Sequence, residues 1–151
     1  QDTKVISVLN GKVTDFVMND KCAAGTGKFI EVMATRLGAD LNEMYELAAK
    51  GQPLAISAMC TVFAESEVVS LIAQNKHTDD IVHGLNKAVA AKTASLVKRV
   101  GGEEAYMMTG GVAQNKGLVK TLEERLGTSL VISPKSQLCG ALGAALFAAD
   151  M

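Results

Sequence analysis

The chain has 151 residues, 48% of them hydrophobic and 21% charged, with a formal net charge of −1. That length and balance fit one soluble globular domain, with a core built from Ala, Val, Leu, Ile and Met because aromatics are scarce. No Lys/Arg cluster interleaved with aromatics marks a nucleic-acid partner, and no apolar run approaches the ~20 residues of a membrane span.

The start, QDTKVISVL, lacks the basic region and apolar block of a signal peptide. It also lacks a Met and begins inside what reads as a strand, so residues before it are expected to be missing. Residues 3–9 and 12–18 are β-rich runs on either side of Asn10-Gly11. Both turn residues accept positive φ, which predicts a hairpin with a type I′ turn. A helix is expected over 27–37, with Phe29, Ile30, Val32, Met33 and Leu37 as its apolar side and Gly38 as its stop. Asp40 and Glu43 have capping-box spacing for a second helix over 41–50, closed by Gly51, and Pro53 marks a loop.

The spacing predicts a third helix over 61–74 and a long fourth to about residue 100. Thr78 is read as the cap of the fourth, and Ile81, Leu85, Val89 and Leu96 share one face. After Gly101-Gly102 the pattern changes. Residues 105–109 read as a short buried strand, followed by Gly110-Gly111 and a helix over 115–126. Residues 129–133 form another short strand, Pro134 breaks it, and 140–149 read as a helix of small residues. Strands alternating with helices make an α/β chain, and with no repeat, linker or low-complexity segment it reads as one domain.

Three segments carry the candidate chemistry. The first is DKCAAGTGKF, residues 20–29, whose GTGK resembles the end of a phosphate-binding P-loop. Aligning Gly27-Lys28 with the motif puts Cys22 in place of its first Gly and Phe29 in place of the Mg²⁺-binding hydroxyl, so the P-loop is rejected. What remains is Cys22 before a Gly-rich turn that opens a helix. A helix N-terminus favours an anion and lowers a cysteine's pKa, so the segment suits a thiolate or thiolate-ligated cluster; a buried cysteine beside a tight turn is the alternative.

The second is AISAMCTVFAESE, where Cys60 again stands before a helix start, with Thr61 as a possible cap. Two such cysteines cannot complete a four-thiolate site in one chain, but a two-fold dimer supplies four. The alternative is that Cys60 is a small core residue. Glu65 and Glu67 read as a solvated helix face, though one of them has the reach for a ribose hydroxyl. The three cysteines, at 22, 60 and 139, form no even disulfide framework, and a reducing cytoplasm is expected. The third segment, MMTGGVAQNKG, places a strand, a Gly pair and a helix start in sequence. In open α/β sheets that arrangement lets backbone approach a ligand at a strand's carboxyl end.

MNDKCAAGTGKFIEVMA, MCTVFAESEV and TGGVAQNKG, in that order and spacing, resemble the ATP-dependent activators of 2-hydroxyacyl-CoA dehydratases and the ATPase subunits of benzoyl-CoA reductase. The likeness runs through QLCGALGAALFAAD, essentially the whole chain. The resemblance implies an actin-like, ribonuclease-H-like ATPase fold, of which this chain would be the C-terminal portion. It also implies a homodimer bridged by one 4Fe–4S cluster, with Cys22 and Cys60 as the matching ligands and Cys139 left as a core residue.

For ATP or ADP with Mg²⁺, the resemblance points to Gln1 and Asp2 at the tail of a phosphate motif. It places Gly110, Gly111 and Asn115 in the adenosine motif, and Gly140 and Gly143 on a connecting helix at an interdomain hinge. The implied activity is ATP-driven delivery of a low-potential electron to a dehydratase or reductase partner, with ferredoxin or flavodoxin as donor. Two competing readings stand beside it. One is a sugar or carboxylate kinase of the same superfold without a cluster, and the other is a non-catalytic dimerisation module.

Overall fold

The computed structural model describes residues 2–19, 26–56, 60–101 and 105–151. The first element is the hairpin β1 (Lys4–Leu9) and β2 (Lys12–Met18), paired antiparallel with a register shift between Ser7 and Val8. Asn10 and Gly11 take φ of 51° and 75°, as the type I′ turn requires. Asn19 closes the base: its side-chain oxygen accepts from the Thr3 amide at 2.7 Å, and its own amide donates to the Thr3 carbonyl at 2.9 Å.

Helix α1 (Gly27–Leu37) begins at Thr26, a buried residue whose hydroxyl accepts from the Phe29 amide. It ends at Gly38 in the left-handed region. Helix α2 (Leu41–Lys50) carries the expected capping box. The Asp40 carboxylate accepts from the amides of Asn42 at 2.7 Å and Glu43 at 2.9 Å, and Glu43 accepts from the Asp40 amide at 2.8 Å. Three otherwise orphaned donors depend on that pair. Asp40→Ala should therefore cost about 1 kcal/mol, read as a lower midpoint in urea unfolding.

Helix α3 (Thr61–Ala73) has Cys60, not Thr61, at its N-cap, and no side chain caps it. Helix α4 (Thr78–Val100) is the axis of the core. Thr78 is already helical; His77 occupies the cap position and accepts from the Ile81 amide through its carbonyl, again without a side-chain cap. Asp79 and Asp80 in the first turn and Lys98 and Arg99 in the last complement the helix dipole instead. The expected face is buried at Ile81, Leu85, Val89 and Leu96, and α2 and α5 (Lys116–Leu126) pack against it with Met44, Leu118 and Leu122.

Strands β3 (Tyr106–Met108) and β4 (Leu130–Ile132) form a parallel pair joined through α5. Helix α6 (Cys139–Ala149) follows a short 3-10 turn, Ser136–Leu138. It buries none of its residues among the described ones, and Leu142, Leu146 and Phe147 stand open. Cys139, expected in the core, is only half-buried for that reason, with its thiol 3.7 Å from the Lys135 carbonyl. The hairpin is one-sided too. Half-buried Val5 and Val17 face α4, while Ile6, Val8, Phe16 and Met18 remain exposed. Among the described residues no helix is long and apolar enough to cross a membrane.

Candidate nucleotide and metal sites

The turn after β3 is built around one backbone conformation. Gly110 has φ 90° and ψ 177°, a combination closed to residues with a side chain, and its amide donates to the Ser136 carbonyl at 2.8 Å. That bond ties the loop after β3 to the loop after β4, so the carboxyl ends of both parallel strands open on one side. A 3-10 turn, Gly111–Gln114, follows, and a Cβ on Gly111 would lie 3.5 Å from the Gln137 amide nitrogen.

Asn115 then caps α5, its side-chain oxygen accepting from the Leu118 amide at 2.8 Å. It is 1% exposed, and its side-chain nitrogen has no hydrogen-bond partner among the described residues. An orphaned buried donor costs about 1–3 kcal/mol, so Asn115 is held by position rather than by full satisfaction of its amide. Beside the turn lies a groove of ≈ 440 Å³, lined in part by Gln114, Lys116, Lys120, Ser133 and Ser136. Neither lysine is in a salt bridge with the described residues. Lys116, at the start of α5, and Lys120 thus face the groove together with the Glu123 carboxylate, which accepts from the Leu130 amide at 2.8 Å; the two cations outnumber the one anion, which suits an anionic ligand.

The expected site residues are not all brought together. Gly110, Gly111 and Asn115 form one continuous unit. Asp2 lies before β1, in the other sheet, exposed and 3.3 Å from the Lys4 ammonium. Gln1 lies outside the described residues. Gly140 and Gly143 sit on α6, and a Cβ on either would meet nothing within 4 Å among the described residues. Ser136 carries no motif, and only the pairing of the two strand-end loops brings it to the Gly110 turn.

Of the two candidate metal ligands, Cys22 lies outside the described residues. Cys60 is half-exposed, a free thiol at the N-cap of α3, and its sulfur caps no backbone amide. A half-exposed free thiol with no structural duty is available to a metal, so Cys60 fits an iron–sulfur ligand. Among the described residues no three potential ligand side chains lie together, so a four-ligand cluster has to draw on further cysteines. Glu65, one turn on, is not simply solvated: it pairs with Arg36 and so ties α3 to α1.

The hairpin, the crossover helices and the nucleotide-type turn at the end of a parallel pair define an actin-like, ribonuclease-H-like α/β ATPase fold. The chain belongs to the BadF/BadG/BcrA/BcrD ATPase family, whose profile matches residues 1–148. It is 51% identical to the (R)-2-hydroxyglutaryl-CoA dehydratase activating ATPase of Acidaminococcus fermentans over 98% of this chain and 57% of the relative. The crystal structure of component A of that organism's dehydratase superposes with a TM-score of 0.92 at 51% identity, covering 97% of this chain and 57% of the other. The activator of 2-hydroxyisocaproyl-CoA dehydratase from Clostridium difficile, solved with bound ADPNP, gives 0.93 at 45% identity, covering 99% and 57%. The chain therefore spans a little over half the length of these relatives.

Proposed function

We propose that this chain is the nucleotide-binding and cluster-bearing part of an ATP-driven activator that passes an electron to a 2-hydroxyacyl-CoA dehydratase or a benzoyl-CoA-reductase-type partner. The observation that carries the reading is the Gly110 turn, open at the carboxyl ends of β3 and β4 and running into the Asn115 cap. It is supported by the likeness to activators over nearly the whole chain, one of them solved with an ATP analogue.

In this reading ATP or ADP lies against Gly110, Gly111 and Asn115, with Gln1, Asp2 and Mg²⁺ toward the phosphates and Gly140 and Gly143 at a hinge. Cys60 and Cys22 from each of two copies hold one 4Fe–4S cluster on the dimer axis, which supplies one-electron transfer at low potential. The chain's own contribution is positional. Gly110 lets the backbone approach the nucleotide, α5 and the lysines offer positive charge, and α3 holds the Cys60 thiol at its start. A ferredoxin or flavodoxin is the proposed donor and the cytoplasm the proposed compartment.

The other half of the ATP clamp, including a first phosphate loop, would come from sequence beyond these residues. The 151-residue chain alone is then expected to bind ATP poorly and hydrolyse it negligibly; measurable turnover by the isolated chain overturns this. The broader test is iron content and oligomeric state after purification without oxygen. The expected product is brown and dimeric, with one cluster per two chains. An iron-free protein that still binds ADPNP would sink the cluster and leave a kinase-type ATPase.

A further inference from the structure

The proposed nucleotide turn and the proposed cluster ligands lie on different elements, and one short contact joins them. Gly27, the first residue of α1, packs so closely on the 3-10 turn that a Cβ there would lie 2.9 Å from a methyl of Val112. Real Cβ atoms essentially never come so close to another heavy atom. At this position glycine is therefore required by proximity and not by its φ. Val112 is half-buried and packs against the core, so it is not free to swing clear.

Val112 is the second residue of the Gly111–Gln114 turn and stands directly after the Gly110-Gly111 pair. A ligand that moves this turn therefore presses on the first residue of α1. That residue follows the segment containing Cys22. At its other end α1 is tied to α3 by the Arg36–Glu65 ion pair, and the two helices pack together. Helix α3 starts at Cys60. A single rigid helix thus touches the nucleotide turn at one end and the helix of the described cysteine at the other.

We propose that the Val112–Gly27 contact transmits nucleotide occupancy to α1, and that Arg36–Glu65 passes it on to α3 and the Cys60 thiol. This inference rests on the nucleotide reading given above and adds to it a route by which one site regulates the other. Two sites count as coupled only when a shared element responds to both, so the test has to read that element directly.

The experiment is hydrogen–deuterium exchange on the full-length protein with and without saturating ADPNP, beside calorimetric ADPNP titration. In the wild type, ADPNP is expected to slow exchange in α1 and in α3. Val112→Ala, compared at saturation, is expected to cut the α1 response about fivefold or more, a typical size for coupling between sites. Gly27→Ala inserts the methyl that the contact excludes and should blunt the α1 response in the same way, although alanine is the better helix former. Arg36→Gln breaks an exposed pair that contributes little stability, so it should fold normally, keep the α1 response and weaken the one in α3, where packing between the two helices remains.

If the wild type binds ADPNP but α1 and α3 do not respond, the coupling is overturned and the nucleotide reading stands. Full-sized α1 responses in Val112→Ala and Gly27→Ala overturn it as well. An undiminished α3 response in Arg36→Gln overturns the second leg alone. Wild-type protein that binds no ADPNP overturns the nucleotide reading itself, and the coupling with it. Should Val112→Ala not fold, Gly27→Ala decides the first leg.

Discussion

Cys60→Ser in the full-length protein, purified without oxygen, is expected to lose essentially all bound iron and the visible charge-transfer absorption that goes with it. The thiol sits at the start of α3 and caps nothing, so the substitution should leave the helix and the core around Ala64 and Val68 intact. Serine at an N-cap is in fact favoured over cysteine, because its hydroxyl accepts from the first-turn amides. The variant should therefore be at least as stable as the wild type in the iron-free form. That combination separates a ligand from a packing residue, since a core cysteine would show the reverse: iron unchanged and stability reduced. Retention of iron by Cys60→Ser would remove the cluster assignment. Cys139→Ser serves as the control and should keep its iron, being half-exposed at the start of α6.

The second large effect is expected at Gly110. With φ at 90° and ψ at 177°, the residue occupies backbone space that is essentially reserved for glycine, so Gly110→Ala carries about 1–3 kcal/mol of strain. The loop can relieve that strain only by giving up the hydrogen bond to the Ser136 carbonyl or the entry into the following 3-10 turn. Either change moves the atoms of the proposed nucleotide turn, and ADPNP affinity should fall tenfold or more, where tenfold corresponds to about 1.4 kcal/mol. Gly111→Ala is the internal comparison. Its φ is not positive and its Cβ would meet Gln137 at 3.5 Å, an ordinary contact, so a much smaller loss is expected. Equal losses at the two positions, or wild-type affinity in Gly110→Ala, would show that backbone conformation is not what this turn contributes.

Features with a purely local cause were legible in the sequence. The Asn10-Gly11 turn, the Gly38 stop and the Asp40–Glu43 box each follow from the conformational or hydrogen-bonding habit of one or two residues, and all three stand in the structure as expected. Failures came where a local habit had a rival. Thr78 is a good capping residue, but it is already helical: His77 takes the cap position, and the two aspartates after Thr78 complement the dipole of α4. Thr61 also lies inside its helix, with Cys60 at the cap position and no acidic residue in the first turn, and its hydroxyl ends buried without a partner among the described residues.

Cys139 is expected in the core because the resemblance requires no ligand there, yet α6 buries none of its described residues and leaves the thiol half-exposed. The Gly110–Ser136 bond and the Gly27–Val112 contact could not be read in advance, because they join segments far apart in the chain and carry no motif. For the candidate site, the sequence named a loop as an expectation. The partners that hold the loop in place belong to the fold.

The one-sided hairpin and the uncovered α6 bear on how the polypeptide behaves as a colloid. Ile6, Phe16, Leu142 and Phe147 are each more than half exposed, and both two-stranded sheets leave outer strand edges unpaired among the described residues. A net charge of −1 supplies almost no repulsion between copies. Bare strand edges template further strands, and apolar faces adhere. A solution of this 151-residue chain alone should therefore self-associate as its concentration rises. Substituting lysine on the outer face of the hairpin, at Ile6 or Phe16, should relieve that association without touching the Gly110 turn.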